Sequence, residues 1–145
     1  MPEPPRFWTP AFIERFVDAM NHDREFQKIV SDFSDTIVFR CLDDPDGKDI
    51  AAAYTFDEGY VSVKIDLGDA PAPEIRDAPF DRHTMFARAT APYRVWVKLD
   101  KGEMTALGAL SSPEYKIEGP KLKIMLNMNI FNAMSEISAS VEKTY

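Results

Sequence analysis

The 145-residue chain has one cysteine, Cys41. A lone cysteine excludes an intrachain disulfide and a thiolate metal cluster. Histidine is almost as scarce. His22 and His83 are the two present, and neither falls in a His-x-x-x-His or His-Glu-x-x-His spacing that would align two metal ligands on a helix. No apolar run approaches the ~18 residues of a membrane span. The opening "MPEPPRFW" lacks the basic start and apolar centre of a signal peptide, so a cytoplasmic protein is expected. Basic residues are in deficit: 17 Lys and Arg against 24 Asp and Glu leave a net charge of −7. That balance argues against a nucleic-acid groove, which needs clustered cations to replace phosphate counterions. It also disfavours stable docking on anionic lipid. A Gly-x-Ser-x-Gly elbow, a phosphate loop and a dinucleotide fingerprint are all missing, so no cofactor is implied.

What the chain does have is large soft side chains: ten Phe and seven Met, within 45% hydrophobic and 28% charged residues. Its length suits one domain, taken as residues 1–145, able to bury roughly 68–70% of its unfolded surface. Proline in "MPEPPR" blocks regular pairing and suggests a loose arm over residues 1–8. Thr9-Pro10 reads as an N-cap and first helical turn, followed by Phe12, Ile13, Phe16, Val17 and Met20 at helical spacing. Asp23 caps a second helix carrying Phe26, Ile29, Val30 and Phe33.

The period then falls to two. "TIVFRCL", "IAAAYTF" and "YVSVKIDL" read as three antiparallel strands joined by "DDPDGKD" and Asp57-Glu58-Gly59 turns. In the third, Val61, Val63, Ile65 and Leu67 are expected to face inward. Residues 68–83 hold three prolines and little periodicity, which suggests a lid or a disordered loop. "TMFARATA" reads as a fourth strand. Pro92 opens a helix through Trp96 and Leu99, "EMTALGAL" is a short helix, and "EYKIEG" is a fifth strand. From Pro120 a long helix is expected, with Leu122, Met125, Leu126, Ile130, Ala133 and Ile137 on one face and Met128, Phe131 and Met134 widening it. A helix so broadly apolar needs cover on two sides.

Chemistry-bearing groups are sparse. "DDPDGKD" loosely resembles a calcium loop but lacks the closing bidentate Glu of a twelve-residue site; an acidic hairpin turn is the simpler reading. Cys41 alternates with Ile37 and Phe39 and reads as a buried structural thiol. Asp66 and Asp69 end a strand, and Asp66 with His83 is the sole sensible acid–base pair for a small cavity enzyme. The methionine-rich C-terminal helix stands above background. It serves as core, as the wall of a hydrophobic cavity, or as the face of a protein-interaction module, since methionine adapts to varied apolar shapes.

Residues 88–126, "RATAPYRVWVKLDKGEMTALGALSSPEYKIEGPKLKIML", resemble the C-terminal half of the sterol carrier protein 2 family. That family places a strand before a helix ending in Leu-x-x-Gly, here Leu99–Gly102. An Ala-Leu segment follows, here Ala109-Leu110, then a Lys-Ile strand, here Tyr115–Gly119, and an apolar helix. The chain departs where "SSPE" replaces the usual glycine and where the 68–83 loop is long. The resemblance implies an α+β fold: a five-stranded, mostly antiparallel sheet covered by helices, with an apolar tunnel between them. It implies a non-catalytic carrier whose partner is a hydrophobic small molecule such as a fatty acyl chain, an acyl-CoA or a sterol. Trp96, Leu99, Met104, Leu107, Leu110, Met125, Met128 and Phe131 are then the candidate ligand-binding wall, with Lys121 or Lys123 near an acidic head group.

Overall fold

The computed structural model describes residues 3–145. Two helices, α1 (Pro10–Asn21) and α2 (Arg24–Ile29), precede three strands, β1 (Thr36–Leu42), β2 (Lys48–Asp57) and β3 (Tyr60–Asp69). A short α3 (Pro73–Arg76) leads to β4 (Ala87–Pro92), α4 (Tyr93–Asp100), α5 (Ala106–Ala109) and β5 (Lys116–Glu118). Helices α6 (Lys121–Leu126) and α7 (Met128–Ser140) follow. The five strands lie in the order β3-β2-β1-β4-β5, with β1–β4 the parallel pair and the rest antiparallel. The expected α+β class and mostly antiparallel sheet are therefore observed.

Local signals behave as their chemistry requires. The Thr9 hydroxyl accepts from Phe12 N at 3.2 Å, and Asp23 Oδ1 accepts from Phe26 N at 2.9 Å, capping α1 and α2. In the β1–β2 turn, Asp44 Oδ1 accepts from the backbone N–H groups of Asp46 and Lys48 at 2.9 and 2.8 Å. The carboxylates of that turn thus hold the hairpin itself.

Register divides the sheet into two unlike faces. Ile37, Phe39 and Cys41 pair with Ala87, Ala89 and Ala91 on one side and with Tyr54, Ala52 and Ile50 on the other. This face is the floor of the core, and Cys41 is fully buried in it. Burial pushes the Cys41 thiol well above its ordinary pKa, so it stays an inert core thiol. The alanines keep the floor low, and the large side chains of α1, α4 and α7 fill the space above it.

The opposite face is polar and, over β1 and β4, buried. Arg40 and Arg88 are 5% and 4% exposed. Arg88 grips Glu118 with two bonds of 2.9 and 3.1 Å, and Arg40 Nε donates to Thr90 Oγ1 at 2.8 Å. Residues 70–86 cover this face. Arg40 donates to the Ile75 carbonyl and Arg88 to the Ala78 carbonyl. Asp49, wholly buried, accepts from Arg76 Nε at 2.6 Å and from Ala72 N at 2.9 Å.

Residues 68–83 are consequently neither lid nor disordered loop. Gly68 and Asp69 end edge strand β3, and the rest belongs to the crossover, residues 70–86, that carries the chain past β2 and β1 to β4. Parallel strands require a connection of about a dozen residues or more.

Further expectations are corrected. Arg6–Trp8 are not a loose arm: Arg6 pairs with Asp44 at 2.7 Å, Phe7 N donates to Thr144 O at 2.8 Å, and Phe7 and Trp8 are buried. Met1 and Pro2, in the same expectation, lie outside the described residues. Leu67 is 51% exposed, because β3 is an edge strand whose far end runs beyond the helices. Ile29, at the end of α2, is exposed as well.

The single C-terminal helix is two. Asn127 ends α6, with its side-chain amide donating to Lys123 O at 2.8 Å, and α7 starts afresh at Met128. The break resets the facing of side chains. Ile124 turns inward, while Leu122, Met125 and Leu126 turn to solvent. Gly119 makes the preceding hinge possible: at φ +135° a Cβ there would stand 2.7 Å from the Phe86 carbonyl oxygen.

Candidate functional site: an aromatic cavity between sheet and helices

Between the sheet floor and the helices lies an apolar cavity of about 70 Å³. The floor contributes Phe39 from β1 and Tyr54 from β2. Phe12, Ile13 and Phe16 enter from α1, Trp96 and Leu99 from α4, and Phe131 and Met134 from α7. Phe7 and Trp8 close one side and Tyr115 another. The rings interlock: Trp96 lies 5.2 Å from both Trp8 and Phe39, and Phe131 lies 6.2 Å from Phe39. These separations are within the range of attractive aromatic pairs. Both tryptophans of the chain therefore stand in the wall.

The two tryptophans are fixed through the backbone. Trp8 adopts φ +67°, a left-handed conformation that costs an L-residue roughly 1–2 kcal/mol. It precedes the Thr9 cap, whose hydroxyl donates to Arg6 O at 2.7 Å. Trp96 is anchored by its indole N–H, within 3.0 Å of Arg40 O and 3.1 Å of Ala91 O.

Polar groups gather at one end, where Asp100, Ser135 and Ser138 reach the cavity. Asp100 Oδ1 accepts from the Ser138 hydroxyl at 2.7 Å. Its Oδ2 accepts from Lys143 Nζ at 2.7 Å and from the Tyr145 hydroxyl. Tyr54 and Tyr115 are buried, and burial raises both phenols well above the usual range. They line the cavity as neutral hydroxyls.

Of the eight residues expected to form the wall, the structure brings Trp96, Leu99 and Phe131 to the cavity. Met104, Leu110 and Met128 are half-buried against the surrounding core and stand outside it. Leu107 and Met125 are 54% and 48% exposed. Sequence reasoning missed Phe7, Trp8, Phe12 and Phe16, because the α1 stripe reads as ordinary core. The adjacent pair Phe7-Trp8 just before a helix cap was the available signal. Asp66 and His83 are both exposed and neither reaches this cavity. Among the described residues no hydrogen bond or ion pair joins them.

By sequence, no family model and no curated protein matches the chain. By structure, the fold is that of sterol carrier protein 2. A crystal structure of sterol carrier protein 2 matches with a TM-score of 0.72 over 94% of this chain and 100% of its own, at 15% identity. A conserved hypothetical protein of Thermus thermophilus, held to be a candidate sterol carrier protein, matches at 0.73 over 98% and 94%, with 14% identity. The sterol carrier protein domain 2 of Helicoverpa armigera matches at 0.57 over 93% and 91%, with 16% identity.

Proposed function

We propose that this protein is a single-domain, non-catalytic carrier of a hydrophobic ligand, working in the cytoplasm. The ligand is a lipid or lipid-like molecule, in the class of fatty acyl chains, acyl-CoA and sterols, held between the sheet and the helices. The observation that carries the reading is the aromatic cavity, placed in a fold shared with sterol carrier protein 2. Binding is driven by removal of apolar ligand surface from water, at roughly 25 cal/mol per Å². Trp96, Leu99 and Phe131 are its wall together with Trp8, Phe12 and Phe16.

The cavity's size sets the mechanism. At about 70 Å³ it is far below the ~300–1,000 Å³ of pockets that enclose a drug-sized ligand. A lipid is admitted by the helices parting from the sheet. The elements that part are those held by side-chain contacts, α1, α4 and α7, because the floor is fixed by backbone ladders. Asp100, an acidic group bound by three donors from the protein itself, lies at the polar end and offers no donor to a ligand carboxylate there.

Titration of delipidated protein with a fluorescent fatty acid, an acyl-CoA and a sterol tests the reading. Saturable binding that alters Trp8 and Trp96 emission is expected for at least one class. Flat curves for all three overturn it.

A further inference from the structure

Helix α6 presents its apolar residues the wrong way for a core helix. Leu122 and Leu126 are each 74% exposed and Met125 is 48% exposed, while Ile124 alone is buried. Spacing of three and four residues puts the three exposed side chains on one face. Lys121 and Lys123 flank them and are exposed too. Among the described residues neither lysine forms an ion pair. From Gly119 to Ser135 the sequence holds no Asp or Glu, in a chain whose net charge is −7.

Beside this face lies a cleft of about 460 Å³ that Lys123 shares with Arg82, Phe80, Met85 and Pro120; Asp35 is its acidic lining residue. Apolar tips ringed by cations, next to a cleft with two cationic side chains, are thus concentrated at one place on an acidic molecule.

From this arrangement we infer that α6 is a docking surface for an anionic lipid bilayer, with Leu122, Met125 and Leu126 inserting between head groups and Lys121, Lys123 and Arg82 meeting their phosphates. A bilayer fits better than a second copy of the chain. Three side chains offer far less than the ~800 Å² per partner of a stable dimer. A bilayer imposes no shape and rewards a small apolar insertion when cations accompany it. The overall negative charge does not forbid this. Screening confines each charge to about 8 Å at physiological salt, so the local cations decide at contact. The docking is weak and reversible, and it does not depend on the cargo reading. Ligand titration and vesicle binding are separate measurements, and one can fail while the other holds.

The test is co-sedimentation of the full chain with vesicles of phosphatidylcholine, with and without one third phosphatidylglycerol. Binding to the anionic vesicles that weakens at high salt is expected. L122D/L126D should reduce it at least about tenfold, and K121A/K123A by roughly thirtyfold. Both variants change exposed positions, so unchanged melting curves and unchanged ligand titrations are expected of them. The inference is overturned by wild-type protein that ignores anionic vesicles, by equal binding to neutral ones, or by variants that bind as well as wild type. It is overturned equally by light scattering that shows a dimer lost in L122D/L126D, which would make the face a self-association surface.

Discussion

Replacing Phe131 by alanine separates a cavity wall from ordinary core. Phe131 is 5% exposed, lines the cavity and lies 6.2 Å from Phe39. Removing a buried phenyl ring costs about 3–5 kcal/mol. It adds roughly 100 Å³ to the existing 70 Å³, and at ~24 cal/mol per Å³ the void accounts for about 2.4 kcal/mol of that loss. In a chain of this length the midpoint of thermal unfolding should fall by about 10–20 °C. The enlarged space is near the ~150 Å³ that accepts benzene in an apolar site. Benzene at about 100 times its Kd should return ~2.7 kcal/mol to the variant, but much less to the wild type, whose cavity is too small. Circular dichroism melts with and without benzene supply the assay, and quenching or shifting of Trp8 and Trp96 emission locates the guest. Equal benzene stabilisation of both proteins, or a variant as stable as wild type, refutes the placement of Phe131 in a cavity wall. Phe131→Leu, with a smaller void, should lie between the two.

The remaining predictions concern the frame around that cavity. Burial opposes ionisation of Asp49 and Glu118, but bonds from Arg76 and from Arg88 outweigh it and hold both carboxyls below their ordinary range. Their stabilisation is therefore complete above the unfolded pKa of about 4 and is lost as pH falls through the lower folded values. Urea unfolding from neutral pH down to about pH 2 should show that decline, and Asp49→Asn should flatten it. Lys143→Met leaves the buried Asp100 carboxylate without its cation and should cost about 3–5 kcal/mol. Adding Asp100→Leu should recover part of the loss in a double-mutant cycle measured by denaturant unfolding. Gly119→Ala drives a methyl into the Phe86 carbonyl at a left-handed φ, so a loss of more than about 1 kcal/mol is expected from the same assay.

Local chemistry made much of the fold legible. The alternation in "TIVFRCL", the caps Thr9 and Asp23, and the hairpin turns all act within a few residues, and all are found where the sequence puts them. What escaped depends on partners distant in sequence. The 68–83 segment is silent on its own, because the groups that order it, Arg40, Asp49 and Arg88, belong to three different strands. The pattern from Leu122 to Ile137 fits one helix well, and nothing short of the side-chain bond from Asn127 to Lys123 O reveals the break. The site follows the same division: α6 turns Met125 outward, and α7 alone supplies Phe131 and Met134 to the wall.

The contact of Arg6 and Phe7 with Thr144 spans nearly the whole chain, and it bears on when the cavity comes into being. Contacts between residues so far apart close the longest loop in the chain, at a somewhat higher entropy cost than the pairing of the strands. The sheet and its crossover close shorter loops, so the clamping of Phe7 and Trp8 against Trp96 is expected to follow them. A chain arrested just short of that clamp would have a finished floor and no chamber. Amide protons around Phe7 and Thr144 should accordingly exchange with solvent ahead of those in β1 and β2.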